Sequence, residues 1–168
     1  LFTVLLFNCA TWLDVDAVAR SKLHHAVMTV YRTATGQNGA DCDGKKSDLD
    51  VLDDVARIEP DKLFTIARLR HLPRPPLHAP DPLSARVQAQ GHGAGSWTHA
   101  MVSDVEWLKK HDAHHGKSPD PRTDWKWWED FATTSHIAWK SSIGRATMDH
   151  VAHRRRHRRA KAWEERFG

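Results

Sequence analysis

The chain has 168 residues, of which 40% are hydrophobic and 27% charged, and its formal net charge is +4. This length and hydrophobic content suit a single folded domain and exclude a chain that is disordered throughout. The longest apolar run, residues 1–7, is far shorter than a membrane-spanning helix and lacks the basic lead of a signal peptide, so we expect no membrane contact. Two cysteines, Cys9 and Cys42, are too few for a disulfide scaffold, which favours a reducing compartment, nuclear or cytoplasmic.

The positive charge is concentrated towards the C-terminal end of the sequence. Residues 145–168 hold eight Lys or Arg and three Asp or Glu, a net charge of +5, whereas the other 144 residues hold 17 basic and 18 acidic side chains. The densest part is the run RRRHRRAK, residues 154–161. Such a cluster binds polyphosphate through counterion release and is also typical of nuclear-import signals. The alternative is a helical face that is exposed to water and has no partner.

The first part of the chain predicts one helix followed by a loop. Residues 1–7 form a strand-like or buried apolar run that periodicity alone does not assign. Either Asp14 or Asp16 can cap a helix that runs to about Arg32. The segment 33–46 is rich in Gly, Asn and Asp and is typical of a loop.

Two short helices are predicted next. Ser47 with Asp50 resembles a capping box, and it predicts a helix over residues 48–58. Pro60 then opens a second helix over residues 61–72. The side chains predicted to face inward on the first of these helices are Leu49, Leu52, Val55 and Ala56.

The middle of the chain is interrupted by proline. Five prolines between residues 73 and 82 exclude a regular element there, and residues 83–90 predict a short helix. Ser96 caps a predicted helix that runs to about His115. A further helical stretch begins at Thr123 or Asp124 and continues almost to residue 168, with a break near Gly144.

These elements together predict an all-α fold, because no segment shows the alternation of a half-buried strand. The architecture that we expect is an irregular helical bundle with a proline-rich central linker and a basic C-terminal helix. The predicted organisation is a helical subdomain over residues 1–72, a linker over residues 73–95, and a Trp-rich helical region with the basic tail over residues 96–168.

Histidine spacing raises the question of a metal site. His111 and His115 lie one helical turn apart, but they fall at a predicted helix C-terminus, where the helix dipole favours His. His150, His153 and His157 share one arc of a helix, which indicates a face packed on the core. We therefore expect no metal and no other cofactor.

No arrangement of residues predicts catalysis. Asp53 and Asp54 lie inside a capped helical pattern, unlike the paired aspartates of a polymerase hairpin, and we interpret them as solvated charges on a helix face. The sequence has no nucleophile elbow, no phosphate-cradling glycine loop followed by Lys, and no supported Cys–His pair. We predict no catalytic residue and no enzyme activity for this chain alone.

Eight tryptophans are unusual for this length, and three of them, Trp125, Trp127 and Trp128, stand in DWKWWEDF. Large rings of this kind fill a core that has few Phe and Ile, which is the favoured interpretation. The alternative is that the three rings are exposed and dock on a protein partner or stack on nucleic-acid bases.

The order of several motifs resembles a known family. VLLFNCATW (residues 4–12), LHHAVMTVYRTATG (residues 23–36) and ARLRHL (residues 67–72) resemble segments that follow the palm in reverse transcriptases of non-LTR, LINE-type retrotransposons. Residues 78–108 look like a pattern in dinoflagellate retroelement reading frames. Three features depart from the family: Asn8, where the family usually has Gly; HLPRPPLHAP (residues 71–80), where it has a turn with Gly and His; and the absence of a C-terminal Cys/His knuckle.

The resemblance implies that the chain is the thumb and downstream region of such a polyprotein, whose parent is an RNA-directed DNA polymerase. It implies a non-catalytic fragment that contacts the phosphates of RNA or an RNA–DNA duplex. The alternative function is a helical protein–protein interaction or structural module made from a retroelement remnant. The candidate phosphate-binding residues are Arg68, Arg70, Arg154, Arg155, Arg156, Arg158, Arg159 and Lys161.

Overall fold

A computed structural model describes residues 17–37, 46–73 and 97–167. These residues form helices and no strand, which confirms the all-α prediction. Among them, no helix is long and apolar enough to span a bilayer. The predictions for residues 1–7 and 83–90, and both cysteines, lie outside the described residues. The six helices are α1 (Ala17–Ala34), α2 (Asp48–Asp54), α3 (Lys62–His71), α4 (Trp97–His111), α5 (Trp125–Thr134) and α6 (His136–Phe167), with a 3₁₀ turn at Ala113–His115 after α4.

Local capping sets where α2 begins and ends. The Ser47 hydroxyl accepts a hydrogen bond from the Asp50 backbone N–H, and the Asp50 carboxylate accepts one from the Ser47 N–H, both at 3.2 Å. The predicted capping box is therefore confirmed. The helix ends at Asp54, four residues before the predicted end, because Ala56 adopts a φ of 49° and turns the chain.

The early end of α2 also changes which residues face inward. Val51 and Leu52 are fully buried, whereas Leu49 is 44% exposed and Ala56 is exposed. The inward prediction is right for Leu52 and wrong for Leu49 and Ala56. Ala56 lies in the turn after the helix, so helical periodicity does not apply to it.

The predicted break near Gly144 is wrong, because α6 continues through this residue to its end. The break lies instead at Ser135, where φ is −117° and ψ is 49°. Just before it, the hydroxyls of Thr133 and Thr134 donate to the carbonyl groups of Glu129 and Asp130. Consecutive β-branched residues with such side-chain bonds are poor helix formers, and they mark the end of α5.

The core consists of two neighbouring clusters. One joins α1 and α2 to Phe64 of α3. The larger one joins Ile58 and the inner face of α3 to α4, α5 and α6. The larger cluster thus contains residues from both sides of the predicted linker over residues 73–95. The boundary between the two clusters does not coincide with this linker.

Tryptophan side chains form the centre of the larger cluster. Trp128 and Trp139 are fully buried, and Trp125 is 3% exposed. The indole N–H of Trp139 donates to the Leu69 carbonyl at 2.8 Å, and that of Trp128 donates to the Pro119 carbonyl at 3.0 Å. The core interpretation of Trp125 and Trp128 is confirmed, and a docking role for these two rings is contradicted because neither reaches the surface.

Candidate nucleic-acid interface

The helix α6 carries most of the candidate phosphate-binding residues, and it has two distinct faces. Its inward face begins with Trp139, Ile143 and Ala146, which are buried in the core, and continues through His150. The last buried residue of the helix is Val151. Beyond that point the basic run distributes its side chains around the helix, so their positions decide which of them can meet a ligand.

Two arginines of the run point back onto the acidic helix α2. Arg158 places Nη1 at 2.6 Å from Oδ2 of Asp53 and Nη2 at 2.5 Å from Oδ1 of Asp50. Arg154 donates from Nε to Oδ1 of Asp53 at 3.0 Å, and its side chain is 9% exposed. Arginines four residues apart on α6 therefore match aspartates three residues apart on α2. These two predicted phosphate contacts are already occupied by carboxylates.

A third carboxylate joins this contact between α2 and α6. Glu59 lies 3.0 Å from Nη1 of Arg154 and accepts a hydrogen bond from Nε2 of His150 at 3.0 Å. Burial alone would raise the pKa of Glu59, but the His150 and Arg154 interactions outweigh it and lower the pKa to about 2. The Ser47 hydroxyl and Arg158 likewise lower the pKa of Asp50 to about 2. Both carboxylates therefore stay ionised and paired over a wide pH range.

The remaining cations of the run form no strong ion pair, although Arg155 is half-buried and, with Arg159, lines the cleft between α6 and the aspartates of α2. Arg155 and Arg159 form no ion pair with any residue in the described part of the chain. Arg156 lies 3.8 Å from Asp149, and Lys161 lies 3.7 Å from Glu165 within the same helix. The Arg156 and Lys161 side chains are about 70% exposed, so these two contacts hold them weakly. We call Arg155, Arg156, Arg159 and Lys161 the outward cluster.

The two candidates on α3 also differ from each other. Arg68 binds Asp104 of α4 through two hydrogen bonds, of which the one from Nη2 to Oδ1 measures 3.0 Å. The Arg68 side chain is 12% exposed and that of Asp104 is 5% exposed, so this ion pair lies inside the protein. Arg70 is exposed at the other side of α3. Arg68 is therefore a structural residue, and only Arg70 of this pair can reach a ligand.

The structure brings together two histidines that sequence reasoning kept apart. Nε2 of His111 lies 3.2 Å from Nδ1 of His150, and the indole N–H of Trp107 donates to that same Nδ1 of His150. Burial lowers the pKa of His111, against the effect of Asp149 at 3.0 Å. Among the described residues, no group of three or more His, Cys, Asp or Glu is placed to hold a metal ion.

The other predicted histidine positions are mixed. His150 packs against the core as predicted, but His153 and His157 are exposed, so the inward prediction is wrong for these two. Helical spacing assigned them to one face, but beyond Val151 the helix packs on α2 through Arg154 and Arg158 instead of through that face. His115 is buried, and burial lowers its pKa.

Sequence reasoning missed Asp53 as an ion-paired residue. Its side chain is 19% exposed and binds both Arg154 and Arg158, so it is not a solvated charge. The sequence did contain both halves of this contact. Asp50 and Asp53 lie about one helical turn apart, and so do Arg154 and Arg158. The contact joins residues about a hundred positions apart, which local patterns do not reveal.

No family model matches this chain, and no curated protein or solved structure matches it either. Its function therefore has to be inferred from the arrangement of its own residues.

Proposed function

We propose that the outward cluster of α6 binds the phosphate backbone of nucleic acid, either RNA or an RNA–DNA duplex, without catalysis and without reading bases. One observation carries this proposal. The cations of the outward cluster have no strong ion pair among the described residues, in contrast with Arg154 and Arg158, which bind carboxylates of α2.

The physical basis is the cost and gain of phosphate contact. An arginine that is already paired gains little by exchanging one anion for another, because the first anion is then left unpaired. Arg155 and Arg159 have no such pair to break. Phosphate contacts by these side chains release counterions, so binding is independent of sequence and falls steeply with salt.

The motif resemblance supports the same role. A thumb region follows a primer–template duplex and contacts its backbone more than its bases. Under this proposal, the chain is the thumb and downstream part of a LINE-type reverse transcriptase, and its parent polyprotein performs the polymerisation. The bundle would hold α6 in place while the outward cluster contacts phosphates.

The test is a salt titration of binding to a labelled RNA–DNA duplex, measured by fluorescence anisotropy. The double variant R155Q/R159Q should bind more weakly and reduce the log–log salt slope by about 2, with an unchanged melting temperature. The matched control R154Q/R158Q carries the same change in charge and the same spacing. We expect it to keep most of the salt slope and to lower the melting temperature.

Two results would contradict the proposal. The first is that the unaltered chain fails to bind the duplex at low salt. The second is that the inward and outward double variants lose binding equally, since net charge alone would then explain the effect.

The alternative of a protein-docking module at the tryptophans is weakened by their burial. Of the three candidates, only Trp127 reaches the surface, with 37% exposure, and its ring stacks on Phe131 with centroids 5.5 Å apart. A failure of nucleic-acid binding in the test above would favour this alternative.

A further inference from the structure

The far end of α6 carries two large aromatic side chains that pack on nothing but their own helix within the described residues. Trp163 is 66% exposed and Phe167 is 65% exposed. Their ring centroids lie 5.1 Å apart, and the Arg166 guanidinium lies 5.7 Å from the Phe167 ring centroid. Exposed aromatic pairs of this size are uncommon on a helix surface unless a partner covers them.

The register of the helix connects these rings to the outward cluster. Arg155, Arg159, Trp163 and Phe167 follow one another at intervals of four residues, so they form one continuous stripe that winds slowly round the helix. The stripe is about 18 Å long. It presents cations first, at the edge of the cleft that α6 forms with α2, and exposed aromatic rings second, beyond that cleft.

A stripe of this composition suits single-stranded nucleic acid. Unpaired nucleobases offer their faces for stacking, whereas the bases of an intact duplex already stack on each other. Guanidinium groups next to the rings would meet the phosphates of the same strand. Arginine and aromatic side chains also form the centres of protein interfaces, so contact with a protein is the competing outcome of the test below.

We propose that Trp163 and Phe167 stack on unpaired bases, so that the preferred ligand of α6 is a single-stranded segment of nucleic acid. This inference rests on the proposed backbone binding and adds the class of strand to it. The arginines hold the backbone of either form, and the aromatic pair favours the single strand over the duplex.

The test compares a labelled single-stranded oligonucleotide of mixed sequence with a blunt duplex of the same length, both at the same salt concentration. The full chain should bind the single strand more tightly. Trp163→Ala should weaken single-strand binding about fivefold or more and leave duplex binding nearly unchanged. Trp163→Phe should retain most of the affinity, whereas Trp163→Leu, which is apolar but cannot stack, should behave like the alanine variant.

Met148 supplies the matched control, because it is 75% exposed on the same helix but precedes the basic run. Met148→Ala should change neither affinity. All four variants alter exposed side chains, so circular dichroism and melting temperature should be unchanged, and a change in binding reports on the ligand contact.

The outcomes separate this inference from the proposed function. Equal losses for single strand and duplex, or full affinity in the leucine variant, would overturn stacking while leaving backbone binding in place. If the unaltered chain binds neither ligand, both proposals fail, and the aromatic pair would instead be a contact for a protein.

Discussion

Two pairs of arginines in one short run differ in whether they form ion pairs. Arg154 and Arg158 bind Asp50 and Asp53 on α2, whereas Arg155 and Arg159 have no ion-pair partner in the described structure. The pairs have the same spacing and are shifted by one residue, which rotates a side chain by about 100° around a helix. The difference shows that a basic run in a sequence is not itself a binding surface, because part of its charge can be used inside the fold.

The same contrast recurs on α3. Arg68 is buried against Asp104, and Arg70, two residues later, is exposed. The resemblance to a thumb region made both of them candidates for phosphate binding. The position of an arginine on its helix does not show whether a neighbouring helix places a carboxylate opposite it, as α4 places Asp104 opposite Arg68.

The largest effect on the free energy of unfolding should come from removing Arg68, the buried one of the two arginines on α3. Arg68→Ala leaves Asp104 buried without a cation, which should lower the free energy of unfolding by about 3–5 kcal/mol. Arg70→Ala, the matched exposed change, should alter it by about 0.5 kcal/mol or less. Urea denaturation of both variants measures the contrast, and equal effects would show that Arg68 is not held in the interior.

Acid should weaken the contact of Glu59 with His150 and Arg154 of α6. The pKa of Glu59 falls from 4.5 to about 2 on folding, so its contribution is fully present above pH 4.5 and is lost as pH falls towards 2. A shift of that size corresponds to about 3 kcal/mol. Thermal denaturation between pH 7 and pH 2 should show a steep loss of stability in this window.

A smaller loss should begin at a higher pH. Burial lowers the pKa of His111 and His115, so the unfolded chain takes up protons first as pH falls below 6.5, and the free energy of unfolding declines.

Glu59→Gln separates the two losses. This variant should flatten the part of the stability–pH profile below pH 4.5 and leave the part near pH 6.5 in place. A profile that is unchanged by Glu59→Gln would contradict the assignment of acid sensitivity to this carboxylate.

The direct test of the two arginine faces is a pair of single variants. Arg154→Gln should lower the free energy of unfolding by about 2 kcal/mol, because it removes a largely buried cation from Asp53 and Glu59. Arg155→Gln should have almost no effect on stability. If the two variants were equally stable, the difference in ion pairing between Arg154 and Arg155 would be wrong.

The parts of the fold that sequence patterns predicted are those set by neighbouring residues. Ser47 with Asp50 marked the start of α2, and the side chain of Asp124 caps α5 by accepting from the Trp127 N–H. Helical spacing placed Trp125 and Trp128 on one buried face. In each case the signal and the contact lie within one or two helical turns.

The parts that sequence patterns missed depend on contacts between distant segments. Arg158 reaches Asp50 across 108 positions, and His150 reaches Glu59 across 91. Which carboxylate lies under which arginine follows from how α2 and α6 pack, and the packing depends on the whole core. The outward cluster became distinguishable only after the inward partners were known.

The comparison of two faces requires α6 to be one continuous helix, and Gly144 tests that requirement with the smallest effect. A Cβ at this position would have no heavy atom within 4 Å, and the backbone is helical. Gly144→Ala should therefore raise the free energy of unfolding by about 0.5–1 kcal/mol. Gly36 is the matched control, since its φ of 70° makes Gly36→Ala destabilising. Loss of stability in the Gly144 variant would mean that the helix bends there, and the register linking Trp139 to Arg155 would then have to be reassigned.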